Sequence, residues 1–236
     1  MSLLQVAVVI PALDEERALP GVLAALPRAG EGWSLREIVV ADNGSADRTA
    51  EVARAGGAHV VIEPRRGYGA ACLAALEHLR PRPPDVVAFL DADGSDDPAE
   101  LAALIEPIRD RRADLVIGSR VLGRREPGAL TPVQAFGNAL ATRLLAWLYA
   151  GRFTDLGPFR AVRWDALEQL GMRDRDYGWT VEMQARALRA GLTCAEVPVS
   201  YRRRRLGRSK VAGTLRGVLG AGWKILFTLV RVRLGG

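Results

Sequence analysis

Two cysteines and two histidines are all that this chain of 236 residues holds. Cys72 and Cys194 stand in helix-like and strand-like apolar contexts without CxxC spacing. Both read as reduced core residues, which excludes a disulfide framework and favours a cytosolic setting. His59 and His78 are isolated in the sequence and read as surface or loop positions rather than metal ligands. No Ser/Gly/Pro-rich linker, internal repeat or low-complexity tract interrupts the pattern, so one large α/β domain is expected. The N-terminus enters an apolar strand almost at once, with no basic n-region and no small-residue cleavage site, so no export signal is expected. Long apolar runs are also missing. The tail "TLRGVLGAGWKILFTLVRVRLGG" is broken by Arg216 and Lys224 and is too short and interrupted for a membrane span. Its Trp, Phe and flanking Arg residues suit either an interfacial helix or a terminal helix packed on the domain.

Charge is present in excess. Lys and Arg total 33 against 27 acids, a formal charge of +6, with the surplus late in the chain. Nucleic acid, phosphorylated substrates and anionic membrane surfaces are all compatible with that balance.

Apolar runs predict the strands. "VAVVIPAL" (6–13) reads as a first buried strand whose ladder Pro11 ends. Further strands are expected at 36–42, 58–64, 86–90, 113–120 and 195–201. Helices are expected over 15–26, after Asn43-Gly44 up to Gly56-Gly57, through "RRGYGAACLAALEHL", over 131–151 and near 178–190. Strands alternating with helices of this length imply right-handed crossovers and a mostly parallel sheet. The segment "TDLGPFRAVR" reads as a rigid Gly-Pro loop.

Chemistry concentrates behind the strand at 86–90. Asp91, Asp93, Asp96, Asp97 and Glu100 place five carboxylates within ten residues at the carboxyl end of a buried run. Ligands of open α/β sheets bind at that end. Asp91 and Asp93 are close enough to share one hard cation, which in turn can bridge phosphate oxygens. Asp96 and Asp97 precede Pro98 at a helix start and read as capping acids, with Glu100 adding first-turn electrostatics. An EF-hand would need Gly at its sixth position and Glu at its twelfth, where Asp96 and Ala102 stand. A P-loop would need GxxxxGK[ST], which is missing. Asp42, at another strand's carboxyl end, suits either nucleoside hydrogen bonding or capping of the turn that follows. Arg120 ends "VIGSR" and points toward the same cleft. The run Arg202, Arg203, Arg204, Arg205, Arg208, Lys210 packs six cations into nine residues, which calls for anions nearby. No aromatic interleaving or nucleic-acid module accompanies it, so nucleic acid is not the expected partner.

The ordered set "VVIPALDEE", "VVADNGSADRT", "RRGYGAA", "FLDADGSDDP", "LVIGSR", "TDLGPFRAVR", "YGWTVEMQ" and "VPVSYRRRRLGRSK" resembles the family 2 glycosyltransferases. Within them it is most similar to the dolichyl-phosphate mannose and polyprenyl-phosphate sugar synthases. The resemblance implies a GT-A fold, a nucleoside-diphosphate sugar donor, Mg2+ or Mn2+, and inversion at the anomeric carbon. It implies that Asp91, Ala92 and Asp93 form the DxD element at the donor diphosphate. Ser95 stands where relatives carry Gln, and its hydroxyl or a water would complete the metal's ligands. Pro11, Ala12, Leu13 and Glu15 match a P-x-x-N-E nucleotide element, with Asp14 in place of the usual Asn. Asp42 falls where relatives bind base or ribose, and Arg65 and Gly67 would add a cation and a turn near the nucleotide. Arg120 would contact the diphosphate. Asp155 and Glu182 would face the acceptor, either one serving as the base for a hydroxyl acceptor, whereas a lipid phosphate needs none. Arg205, Arg208 and Lys210 would close over the diphosphate, with Arg202 to Arg204 facing anionic headgroups.

The expected organisation is a catalytic domain over 1–212 and an amphipathic or apolar helix over 213–236. The expected reaction is sugar transfer to a polyprenyl phosphate at the cytoplasmic membrane face, with a soluble or glycan hydroxyl as the competing acceptor. A sugar-phosphate nucleotidyltransferase is disfavoured because "PALDEE" lacks the glycine-rich loop it would need. A basic peripheral membrane-binding protein with a degenerate site is the non-enzymatic rival.

Overall fold

The computed structural model describes residues 3–149, 151–206, 224 and 227–234. Its centre is one sheet built from β1 (Leu4–Ala12), β3 (Trp33–Asp42), β4 (His59–Ile62), β5 (Val86–Phe89), β6 (Leu115–Ser119), β7 (Arg160–Arg163) and β8 (Cys194–Pro198), with a two-residue β2 (Ala29–Gly30) at its margin. The order β2-β3-β1-β5-β7-β6-β8 runs across it, and β4 pairs with the far end of β3. β1, β3, β4 and β5 are mutually parallel, as are β6 and β8; β7 lies antiparallel between β5 and β6. The sheet is therefore mostly parallel, and the carboxyl ends of β1, β3, β5 and β6 point one way.

Odd and even residues of β1 explain the layering. Val6, Val8 and Ile10 face one apolar cluster with α1 (Leu19–Ala25) and α4 (Leu101–Arg109). Ala7 and Val9 face another with α3 (Tyr68–Leu79), α5 (Pro132–Tyr149), α6 (Trp164–Leu170) and α7 (Trp179–Arg189). α2 (Thr49–Ala55) completes the first layer through Ala53. A strand buried on both faces cannot alternate polar and apolar residues, which is why these strands read as continuous apolar runs. Each fully buried Val or Ile among them contributes about 1.5–3 kcal/mol.

Several boundaries differ from the sequence expectation. β1 does not stop at Pro11 but pairs with β3 through Pro11 and Ala12. Val9 accepts from Leu90 on the β5 side and Ala12 accepts from Asn43 on the β3 side. Alternation therefore turns Pro11's nitrogen toward β5, whose pairing has already ended at Phe89, so no ladder bond is lost. The segment expected to be only a loop contains β7, whose two arginines hide a strand signal. Arg160 is fully buried, its guanidinium donating to the carbonyls of Leu156, Gly157 and Thr180. The two histidines, isolated in the chain, stack with ring centroids 3.8 Å apart.

Of the C-terminal segment, residues 227–233 are helical, with Thr228, Leu229 and Val232 buried. Tyr149 donates to the Leu229 carbonyl at 2.6 Å and Arg189 to that of Val232 at 2.6 Å. Among the described residues no helix is long and apolar enough to cross a membrane.

Candidate active site

A cleft of about 930 Å3 opens at the carboxyl ends of β1 and β5. Pro11, Ala12, Leu13 and Glu15 line it from the loop after β1. Asp14 makes that loop possible. It adopts φ 51°, a left-handed conformation that Asn and Asp tolerate, and its Oδ1 accepts from the Ala46 amide at 2.8 Å. The second wall is "RRGYG". Gly67, at φ 137°, abuts the Arg175 carbonyl so closely that a Cβ would lie 2.0 Å from it, so only glycine fits.

Asp91, Ala92, Asp93 and Ser95 form the floor. Tyr68 Oη donates to Asp91 Oδ1 at 3.1 Å, and the Ser95 amide to Asp93 Oδ1 at 2.9 Å. Burial, then the neighbouring Asp93 charge, pushes the Asp91 carboxyl up to about 7. Such a pair of like charges is relieved by a cation. Arg204 supplies part of that relief, ion-paired with Glu15 and 3.5 Å from Asp93 Oδ2. Hard carboxylate oxygens with a hydroxyl at Ser95 suit Mg2+ or Mn2+, and these residues are the ones that would hold it.

Arg120 also lines the cleft, and it is fixed from behind. Asp155 accepts its Nε and Nη2 at 2.8 and 2.7 Å and its amide at 2.8 Å. Burial opposes the Arg120 charge, but these bonds outweigh it and hold the guanidinium above its ordinary pKa. Tyr201 stacks under it, 4.9 Å from the ring centroid.

Several predicted site residues lie elsewhere. Asp155 is completely buried, hydrogen-bonded to Arg120, and does not line the cleft. Glu182 is likewise buried. It accepts the amides of Arg173 and Asp174 at 3.1 and 2.7 Å and pairs with Arg186 and Arg231 at 3.0 Å each, so it staples a loop and the terminal helix. Asp42 caps the next turn through the Ser45 amide at 2.9 Å and is absent from the cleft lining. Arg65 points outward to Glu63 at 3.2 Å; Arg66 takes the place in the cleft. Arg205 is exposed beside Glu126 at 3.4 Å, and Arg208 and Lys210 lie outside the described residues. Of the basic run, Arg203 and Arg204 reach the cleft, while Arg202 pairs with Asp97.

Capping also divides differently from expectation. Asp97 does cap a short 3-10 turn, accepting from Ala99 at 3.2 Å. Asp96 does not: it is 2% exposed, and neither carboxylate oxygen has a hydrogen-bond partner among the described residues. Burial, then Asp91, raises its pKa well above the carboxylate range. Glu100 ties down Ser200 through its amide and hydroxyl at 2.7 and 2.8 Å.

A model of the family described as Glycosyl transferase family 2 matches residues 7–171. The chain belongs to this family. This family 2 glycosyltransferase is 42% identical over 228 residues to an uncharacterized glycosyltransferase of Mycobacterium tuberculosis, covering 94% of this chain and 97% of that one. It is 31% identical over 231 residues to the undecaprenyl-phosphate mannosyltransferase of Micrococcus luteus, covering 91% and 90%. Among solved structures it resembles glucosyl-3-phosphoglycerate synthase from Mycobacterium tuberculosis, in complex with Mn2+, UDP and glucosyl-3-phosphoglycerate. That likeness has a TM-score of 0.77 at 25% identity and covers 98% of this chain and 80% of the other. The curled, mostly parallel sheet of the glycosyltransferase is thus a GT-A fold, and the chain is an enzyme.

Sequence reasoning missed Tyr68, Arg66, Asp176 and Tyr201 in the glycosyltransferase's cleft. Tyr68 sits inside a quoted motif, "RRGYGAA", and a phenol there was a readable signal. Asp176 carried none, because its place depends on the loop from 174 to 176 packing against Gly67 and Gly69.

Proposed function

We propose that this glycosyltransferase moves a sugar from a nucleoside-diphosphate sugar, with Mg2+ or Mn2+ held by Asp91 and Asp93, onto the phosphate of a polyprenyl phosphate. The observation that carries the acceptor is the state of the two acids expected to act as base. Asp155 and Glu182 are both 0% exposed and engaged by arginines. Arg66, Arg120, Arg203 and Arg204 meanwhile line the cleft. A phosphate acceptor arrives ionised and needs no base, and arginines suit its oxygens. The undecaprenyl-phosphate mannosyltransferase relative supports the same reading, and the Mn2+ and UDP of the solved neighbour support the donor and metal.

In this reaction the acceptor oxygen attacks the anomeric carbon as the bond to the nucleoside diphosphate breaks, inverting the centre in one displacement. The metal would neutralise charge on the departing diphosphate. Arg120, held by Asp155, needs no reorganisation to do likewise, and Arg203 and Arg204 also line the cleft. Peripheral contact with the cytoplasmic face of a membrane belongs to the same reading, supported by the exposed Arg203 and Arg205 near the cleft.

A hydroxyl acceptor is the second reading, because Asp176 lines the cleft and the solved neighbour carries glucosyl-3-phosphoglycerate. Transfer assays with UDP- and GDP-linked sugars and Mn2+ decide between them. Undecaprenyl phosphate is expected to be glycosylated, with Asp176→Asn nearly as active. Transfer to hydroxyl acceptors alone, abolished by Asp176→Asn, overturns the phosphate reading.

A further inference from the structure

The only two histidines of the chain meet on the sheet face away from the first-layer helices, and the proposed reaction uses neither. Their meeting follows from register. His59 on β4 pairs with Val39 of β3, and Glu37 lies two residues earlier on the same face as Val39. Val39 packs in the cluster that holds α3, and His78 reaches down from the last turn of that helix. Its Nε2 lies 2.7 Å from Glu37 Oε1. One ligand atom from each of Glu37, His59 and His78 falls within 4.8 Å of the others.

We infer that Glu37, His59 and His78 form a second metal site, distinct from the nucleotide cleft and selective for a Zn2+-class ion. Two imidazoles and one carboxylate are a borderline-soft N2O set, matched to Zn2+ rather than to the hard cations that Asp91 and Asp93 suit. Bonds of about 2.0–2.2 Å in tetrahedral geometry set ligand atoms roughly 3.3–3.5 Å apart. Glu37 and His78 already lie closer than that and would part slightly, while the exposed His59 would turn out of its stack on His78 to bring a ring nitrogen in. Glu37 offsets one of the two positive charges. Arg36, 3.8 Å from Glu37 Oε2, competes only weakly at that distance.

The ion would fasten β4, an edge strand of two exposed and two half-buried residues, to β3 and α3. β4 and α3 flank the loop that carries Arg66 and Gly67 into the cleft. Metal at the histidines would therefore steady the nucleotide wall from behind without touching substrate.

The test uses the full chain without a histidine tag, stripped of metal and then titrated with Zn2+ in the presence of saturating Mg2+ by calorimetry and thermal unfolding. One equivalent of Zn2+ is expected to bind and raise the unfolding temperature. His59→Ala and His78→Gln should each weaken that binding by about tenfold or more, with metal-free unfolding temperatures unchanged. Asp93→Asn should leave it intact. Absence of Zn2+ binding, equal affinity in the double histidine variant, or loss of binding in Asp93→Asn would overturn the assignment.

Discussion

Two sets of carboxylates, one buried away from the cleft lining and one within it, are neutralised to very different degrees. Asp155 and Glu182 are wholly buried and answered by arginines at 2.7–3.0 Å. Asp91 and Asp93 crowd each other in the cleft, with Arg204 reaching Asp93 only at 3.5 Å. The first set holds a scaffold, because a buried charge with full partners has nothing left to offer a ligand. The second set is left wanting a cation. The acids proposed to hold the metal are the ones the protein leaves incompletely paired.

Replacing Asp93 attacks that contrast most directly. Asp93→Asn is expected to lower kcat/KM by about a thousandfold, comparable to losing a main transition-state stabiliser, and to abolish Mn2+-dependent thermal stabilisation by nucleoside diphosphates. The same pair should set a pH dependence. Asp91 binds its proton more tightly folded than unfolded, so its contribution to the stability of the metal-free protein is full at low pH. That contribution is lost as pH rises from the ordinary carboxylate range through about 7. Urea unfolding of metal-free protein across this range measures it, and Asp93→Asn should flatten the loss by removing a like charge.

On the scaffold side, Asp155→Ala strands Arg120 in a buried site and should cost about 3–5 kcal/mol of stability, read by urea denaturation, together with a raised KM for the donor. Glu182→Gln should cost less, about 2–3 kcal/mol, because its amide-bonded loop partners keep a hydrogen-bond acceptor. Its kcat at a temperature where it remains folded should stay near that of the parent; a collapse in kcat with unchanged stability would break the contrast and return Glu182 to the chemistry. The smallest effect belongs to Arg202→Ala at the half-exposed pair with Asp97, under about 1 kcal/mol.

The parallel half of the sheet was readable in the chain because β1, β3 and β5 are buried on both faces and carry unbroken apolar runs. β7 was not readable. Its ends are Arg160 and Arg163, and only the carbonyls of Leu156, Gly157 and Thr180 make a buried arginine tolerable there. The DxD pair was legible through its position after a strand. The separation of Arg204 from Arg205 was not, since adjacent arginines in one run are alike until one meets Glu15 and Asp93 and the other meets Glu126.

The order of apolar runs, glycines and acids along the chain determined the sheet, its open carboxyl end and the two aspartates at the cleft floor. Those features depend on local pattern and strand burial, which neighbouring residues encode. Tertiary structure alone decided which charges are spent. It buried Asp155 and Glu182 against arginines, left the Asp96 carboxylate without a hydrogen-bond partner among the described residues, and brought His59, His78 and Glu37 together. Whether a charge is paired depends on groups distant in sequence, and only folding brings those groups within reach.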